Sequence, residues 1–279
     1  MFEKILFPTD FSEVSLHALK NCIPLLFKIG AKKLYLVHIV DITATDIEAL
    51  ELVKIDEEQL EKLAQELREK GIDVETTTKL GIPSIEIAEI AREKDVDLVV
   101  SPSKGENILR QMLLGSTASN LVRTTKKPVL LVRYEWKEEE GIKCMCECSK
   151  IFEKPLIALD FSKCSIKVMV AVKKFEEHVK EGILLHVVDY GRPEELEKNT
   201  QRAKEQLEKY AKIVKFPVEK QVGFGVASQD IIGMSIAKKA TLIVIGKKGR
   251  SILKDLLLGS TAERVVRDSK SPVLLVPCE

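Results

Sequence analysis

The sequence predicts an α/β protein: two tandem, doubly wound domains of Rossmann-like type, each with a five-stranded parallel sheet. Three observations carry this expectation. The chain repeats itself, short apolar runs alternate with longer amphipathic ones inside each repeat, and the short runs are rich in Val, Ile and Leu with little polar alternation, as in sheets covered on both faces. Laid over each other without a gap, residues 81–133 and 225–277 match LLGSTA (113–118) to LLGSTA (257–262) and PVLLV (128–132) to PVLLV (272–276), at a constant offset of 144 residues. Earlier in each half the offset drifts as short loop deletions would make it. The DFS of ILFPTDFS (5–12) falls on the DFS of LIALDFSK (156–163), with Asp10 on Asp160, and VHIVD (37–41) falls on LHVVD (185–189). The period is far too long for a solenoid repeat, so these are duplicated domains.

Taken in order, strands are expected near 4–8, 34–40, 73–78, 97–101 and 129–133, with counterparts near 155–159, 183–188, 218–222, 241–245 and 273–276. The segment 57–70 places Leu60, Leu63, Ala64 and Leu67 on one face and stops at Gly71, the pattern of a surface helix. Its counterpart covers about 194–213, with Leu196, Ala203, Leu207 and Tyr210 near helical spacing. In an open sheet of this kind the ligand crevice lies beyond the carboxyl ends of the strands. Between the halves, YEWKEEEGIKCMCECSK (134–150) mixes charge and thiols without helix or strand period. It reads as a linker, dividing the chain into a first domain (1–140), a cysteine-containing linker (141–153) and a second domain (154–279).

Composition narrows the function classes. Among 279 residues, 44 Lys and Arg stand against 43 Asp and Glu, so the broad positive field of a non-specific nucleic-acid or membrane binder is missing. No apolar run reaches the roughly eighteen residues needed to span a bilayer, and the opening MFEKILFPTD lacks the regions of a signal peptide. A cytoplasmic protein is expected. Six cysteines are too few and too uneven for a disulfide scaffold, and Cys22, Cys164 and Cys278 read as reduced thiols. The run Cys144, Cys146, Cys148 reads as unliganded linker. Metal binding or redox modification is its alternative, since structural zinc sites use C-x2-4-C spacing and a fourth ligand.

The chemistry lies after the fourth strand of the second half, in GKKGRSILKDLLLGST (246–261). Gly246 and Gly249 permit positive φ and close backbone approach, so successive amides can converge on an anion. Gly259 and Ser260 open an amphipathic stretch whose first amides point the same way. The pattern G-x2-G-x9-G-[ST] after a strand, with an early strand ending in Asp and a final PVLLV strand, resembles the universal stress protein family, over nearly the whole chain twice. ATP-binding members of that family use these glycines and the hydroxyls after them for phosphate, and the early Asp and a backbone position after the second strand for the nucleoside. The resemblance therefore implies ATP or a related adenine nucleotide, with or without Mg²⁺, held by Asp160, Val187, Gly246, Lys248, Gly249, Gly259, Ser260 and Thr261. In the first half the weaker set is Asp10, Ile39, Gly105, Gly115, Ser116 and Thr117. There Pro102 replaces Gly246 and supplies neither an amide hydrogen nor positive φ, so binding is expected mainly in the second domain.

Each assignment has a plainer competitor. Asp10 could cap the first helix through a D-x-x-E box with Glu13, Gly246 and Gly249 could be turn glycines, and Lys247, Lys248 and Arg250 could be a solvated loop. His38 and His186 read as packed or hydrogen-bonded strand residues. No Walker A sequence, G-x-G-x-x-G fingerprint or Ser-His-Asp constellation is present, so no catalytic residue is named. The leading expectation is a ligand-dependent regulatory or interaction module in stress response. A slow ATP hydrolase or phosphotransferase, or a nucleotide-free interaction module, are the competing readings.

The apolar PVLLV strand that ends both halves is an exposed edge unless it is covered. Since such a strand mediates dimer formation in related single-domain proteins, the two domains are expected to pair with each other through 128–133 and 272–276, with homodimer formation as a further option. Replacing Leu130 and Leu274 by Lys is then expected to speed protease cutting within 134–150, measured by limited digestion. Unchanged cutting rates would count against this pairing.

Overall fold

The computed structural model describes residues 1–43, 49–103, 115–137, 141–188, 193–249 and 258–278. It divides into two compact units, Met1–Cys144 and Met145–Glu279. In the first unit the elements run β1 (Lys4–Pro8), α1 (Glu13–Asn21), α2 (Ile23–Lys28), β2 (Lys33–Asp41), α3 (Ala49–Arg68), β3 (Val74–Gly81), α4 (Pro83–Glu93), β4 (Leu98–Pro102), α5 (Ser116–Thr124) and β5 (Val129–Val132). The strands pair in parallel in the order β3-β2-β1-β4-β5. The second unit carries β8 (Pro155–Ala158), α6 (Lys163–Lys173), β9 (Gly182–Val188), α7 (Pro193–Ala211), β10 (Val218–Phe224), α8 (Ala227–Ala237), β11 (Leu242–Gly246), α9 (Ser260–Asp268) and β12 (Val273–Val276). Its parallel order is the same, β10-β9-β8-β11-β12.

The order puts the first strand of each unit in the middle. The chain leaves β8 towards β9 and β10, then returns to β11 on the other side. Right-handed crossovers then place α6 and α7 on one face and α8 and α9 on the other, where α8 packs on α9 as α4 packs on α5. The central strands are buried on both faces: Leu98, Val99 and Val100 of β4 and Leu242, Ile243 and Val244 of β11 are all fully inaccessible. That is why these runs show no alternation. On α3 the stripe Leu60, Leu63, Ala64 and Leu67 is buried against β2 and β3 as its spacing requires, and the chain turns out of the helix through Gly71 at φ +81°. On α7, Ala203 and Leu207 are buried while Leu196 and Tyr210 are half-buried.

One expectation fails. The stretch read as a linker without strand period contains an antiparallel hairpin of β6 (Tyr134–Lys137) and β7 (Gly141–Cys144), followed by a 3₁₀ turn at Cys148–Lys150. Tyr134 begins it fully buried, with its hydroxyl near His17 Nδ1 (3.4 Å) and Cys22 Sγ (3.7 Å). The interleaved Glu and Lys residues hide the strand pattern in the sequence. Gly141 takes φ +70°, which only glycine adopts easily. Among the described residues no helix is long and apolar enough to cross a membrane.

A buried carboxylate in the second unit supplies a stability test. Oδ2 of Asp230, in the first turn of α8, is inaccessible without a hydrogen-bond partner, packed where a side chain on Gly223 would collide with it. Burial raises its pKa above the ordinary carboxylate value of 3.8. The native state thus holds this proton more tightly than the unfolded chain, so the contribution is favourable below 3.8 and is lost as pH rises through the folded pKa. Asp230→Asn is expected to raise the melting midpoint at pH 7 by a few degrees at most, since 1 kcal/mol is worth about 2–4 °C in chains of this order of length. The gain should vanish in melts below pH 3.8. A midpoint that falls at pH 7, or a gain independent of pH, would contradict this account.

Candidate functional site

The site begins where β8 stops. The β8 ladder on β9 ends with Ala158 opposite Leu185, and the Leu159 amide donates to the Leu185 carbonyl (2.9 Å). The chain then swings away while β9 runs on to Val188, so Val187 overhangs the end of β8. The turn passes through Phe161 in the left-handed region at φ +62°, a conformation costing a non-glycine residue about 1–2 kcal/mol. The Phe161 ring stacks on His186 (centroids 4.2 Å) and on Tyr210 (5.7 Å). His186 is buried and its Nδ1 lies 2.6 Å from the Leu159 carbonyl, which makes Nδ1–H the donor. The strand-residue reading of the histidines therefore holds, for His38 as well, whose Nδ1 lies 2.8 Å from the Thr9 carbonyl.

This turn orients Asp160. Its Oδ1 accepts from the Ser162 amide (3.0 Å), the Ser162 hydroxyl (2.7 Å) and the Ser165 hydroxyl (2.9 Å). Ser162 also caps α6, accepting from the Cys164 amide (3.2 Å). Tyr210 hydrogen-bonds Ser165, and burial pushes its phenol pKa up. In the first unit Ser12 is likewise the helix cap, accepting from the Ser15 amide (3.3 Å). The D-x-x-E capping box is thereby corrected: Asp10 does not cap α1 but accepts from the Ser12 amide (3.1 Å) and hydroxyl (2.5 Å). The reason is that α1 starts at Glu13, two residues later than a cap at Asp10 would allow.

Across the crevice, β11 ends at Gly246, in register with Val276 of β12. The Lys247 amide donates to the Val276 carbonyl (2.7 Å), and the Gly259 amide donates back to the Lys247 carbonyl (2.9 Å), which brings the start of α9 onto the loop. Gly259 is the N-cap of α9 and provides no side-chain cap, so the amides of Ser260 and Thr261 open the helix towards the crevice. Of the two roles expected of Gly246 and Gly249, positive φ and close backbone approach, the first is not used, for neither they nor Gly259 are among the positive-φ residues. Gly246 and Gly249 act through space. A Cβ on Gly246 would lie 2.5 Å from Cys164 Sγ and one on Gly249 would lie 3.2 Å from Asp160 Oδ2, whereas one on Gly259 would meet the backbone of Lys247 and Lys248 at ordinary contact distance, 3.5–3.6 Å. Asp160, Gly246, Lys248, Gly249, Gly259 and Ser260 thus gather at the ends of β8 and β11, where strand order reverses. Lys247 is buried, while Lys248 is half-buried at the rim, and Arg250 lies outside the described residues.

The first unit keeps much of this frame. The Ser103 amide donates to the Val132 carbonyl (2.9 Å), the Gly115 amide to the Ser103 carbonyl (3.0 Å), and Gly115 caps α5 without a side chain, leaving Ser116 and Thr117 exposed at the helix start. Pro102 ends β4 opposite Val132 as Gly246 ends β11, so the proline costs an amide hydrogen there but not the turn. Asp10 lacks the third donor: Ser15 Oγ pairs instead with Thr9 Oγ1 (2.9 Å), a hydroxyl that Leu159 lacks in the second unit. Ile39 is buried two residues beyond the Pro8–Val37 pair, and Gly105 lies outside the described residues.

The thiols also need correction. Cys164 and Cys278 form a disulfide, and Cys22 is disulfide-bonded too, so none of the three is the reduced thiol expected. Cysteine spacing cannot show this pair, because its members lie 114 residues apart and meet only through the fold. Within the run Cys148 is disulfide-bonded, so the run does not offer three thiolates to one metal. Sequence reasoning also missed Ser162, Ser165 and Tyr210. A signal for the serines was present, since D-F-S-x-x-S recurs as DFSEVS (10–15) and DFSKCS (160–165).

The comparisons with known proteins agree with this architecture. The model of the universal stress protein family matches residues 1–133 and 152–277. The universal stress protein MJ0577 of Methanocaldococcus jannaschii is 33% identical over 156 residues, covering 48% of this chain and 96% of its own. MJ0531 of the same organism is 31% identical over 147 residues, covering 50% of this chain and 86% of its own. A solved universal stress protein from Archaeoglobus fulgidus superposes with a TM-score of 0.71 at 23% identity, covering 98% of this chain and 96% of that one, which shows the shared fold. With the family pattern matched once in each unit, the chain belongs to the universal stress protein family as a tandem, two-domain member.

Proposed function

We propose that the second domain binds ATP or a related adenine nucleotide, and that the bound nucleotide acts by favouring one conformation or association state of the protein. The observation that carries this reading is one crevice that holds an oriented carboxylate, the glycines Gly246, Gly249 and Gly259, and a helix N-terminus without a side-chain cap. Phosphate oxygens suit the α9 amides and the hydroxyls of Ser260 and Thr261, with Lys248 adding charge at the rim. Asp160, anchored through Oδ1, places Oδ2 beside Gly249, where a ribose hydroxyl would donate to it. The overhanging backbone at Val187 suits the edge of a base. In the first domain Asp10, Ile39, Gly115, Ser116 and Thr117 form a weaker version, because Pro102 removes an amide and Asp10 is held by fewer donors. The hydrolase reading has less support, for the three donors on Asp160 Oδ1 suit a group that holds a ligand in place rather than one that moves a proton.

Two measurements test the proposal. Titration calorimetry with ATP, with and without Mg²⁺, is expected to give about one site per chain, and Gly249→Val is expected to weaken binding at least about tenfold by crowding Asp160 and the phosphate path. Unchanged affinity in a folded Gly249→Val protein would remove the site from this loop. Turnover of ATP is expected far below the usual enzyme range of about 1–1,000 per second. Robust hydrolysis lost on Asp160→Asn, with ATP binding retained, would move the protein to the enzymes.

A further inference from the structure

The Cys164–Cys278 disulfide lies against the phosphate loop rather than in a remote part of the domain. Cys164 Sγ occupies the space that a side chain on Gly246 would need, with the ideal Cβ only 2.5 Å away. Cys278 Sγ accepts from the amide of Lys248 (3.2 Å). Both sulfurs therefore touch the Gly246–Gly249 loop, one under its first residue and the other under its third. The bridge also ties the turn that carries Asp160 to the tail after β12, since Cys164 follows Ser162 at the start of α6 and Cys278 follows Val276 by two residues.

The first domain carries no cysteine at the equivalent positions. The positions corresponding to Cys164 and Cys278 are Val14 and Tyr134, both fully buried, and the position above them is Pro102 rather than Gly246. Where the first domain has valine and tyrosine, the second has a bond that can be broken. It lies where the missing Cβ of Gly246 makes room for sulfur.

We propose that this disulfide is a redox clamp on the nucleotide site: bridged, it holds the Gly246–Lys248 backbone and the Asp160 turn in binding geometry, and opening it by a dithiol reductant lowers nucleotide affinity. The ligand part of this inference rests on the nucleotide reading above. Cys278 is half-buried and Cys164 is buried, so the reductant's thiolate attacks Cys278 Sγ. The S–S bond breaks, and Cys164 leaves as a thiolate on the amides that open α6, where negative charge is stabilised, and takes up a proton. The reductant's second thiol then displaces Cys278, which leaves as a thiol, and the reductant departs as its own disulfide. Two electrons and two protons have passed to the protein. The separated sulfurs must move to non-bonded contact, roughly 4 Å apart, in a space closed on one side by Gly246 and Lys248. The loop above them has to shift.

The test uses the full chain, oxidised or reduced with dithiothreitol, with the bridge state read from the mass of alkylated peptides. Reduction is expected to speed amide exchange at Lys247, Lys248 and Gly249 and to weaken ATP binding on the order of tenfold, within the span common for coupled equilibria. Cys164→Val, which copies the residue of the first domain, and Cys278→Ala are expected to respond to dithiothreitol in neither readout. The other cysteines remain in these variants, so a response that persists there comes from elsewhere and overturns the clamp. Identical loop exchange and identical ATP affinity in oxidised and reduced wild type overturn it as well. If the loop loosens on reduction while neither form binds ATP, the clamp stands as a device on the loop and the nucleotide reading falls.

Discussion

The site depends on where the first strand of the domain lies. In a parallel sheet ordered 3-2-1-4-5, the chain leaves the first strand in one direction and the fourth in the other, so the connections after these neighbours diverge and open a crevice at their carboxyl ends. Among the described residues no helix fills that crevice. The turn after β8 delivers Asp160 from one side, and the loop after β11 delivers Gly246–Gly249 and the start of α9 from the other. Because both strands are buried on both faces, their ends are fixed by packing, and short loops suffice to hold polar groups at defined positions.

Within this frame the backbone is conserved between the units more closely than the side chains. The same two loop hydrogen bonds tie Ser103 and Gly115 in one unit and Lys247 and Gly259 in the other. Left-handed phenylalanines, Phe11 at φ +58° and Phe161 at φ +62°, make the same turn and pack on the same strand histidine. A strained residue kept twice in one chain indicates a turn that the fold requires and whose cost the packing of its ring offsets. Divergence is confined to what lies around that turn. Thr9 draws Ser15 away from Asp10, whereas Leu159 leaves Ser165 to Asp160. These exchanges alter the site without altering the sheet.

The changes at Gly246, Cys164 and Cys278 form a second, coupled set. A close-packed interior does not admit a sulfur against a residue carrying Cβ at that position, so the bridge and the glycine go together. In the first unit Val14 and Tyr134 fill the corresponding space with carbon and a phenol, and a proline is tolerated above them because the strand end needs no particular φ there beyond its own. The Gly246–Gly249 loop of the second unit therefore has a support that is chemical as well as steric.

By itself the sequence determined the class of fold, the duplication and the strands of both sheets, because a strand buried on both faces must be continuously apolar and a duplicated domain must repeat its strand ends. It also brought Gly246, Gly249, Gly259 and Ser260 forward as a group, since their spacing follows from strand, loop and helix, while Asp160 joined them through the resemblance to the family pattern. The hairpin at Tyr134–Cys144 was not legible, because charged residues alternate with the apolar ones on a short exposed ribbon and mask the period. Only the tertiary structure decided that the glycines serve by leaving space and not by positive φ, that Ser12 and not Asp10 caps α1, and that Cys164 meets Cys278. Each of these depends on which atoms meet across residues distant in sequence. Local spacing records the backbone period but not the occupant of the space beside it.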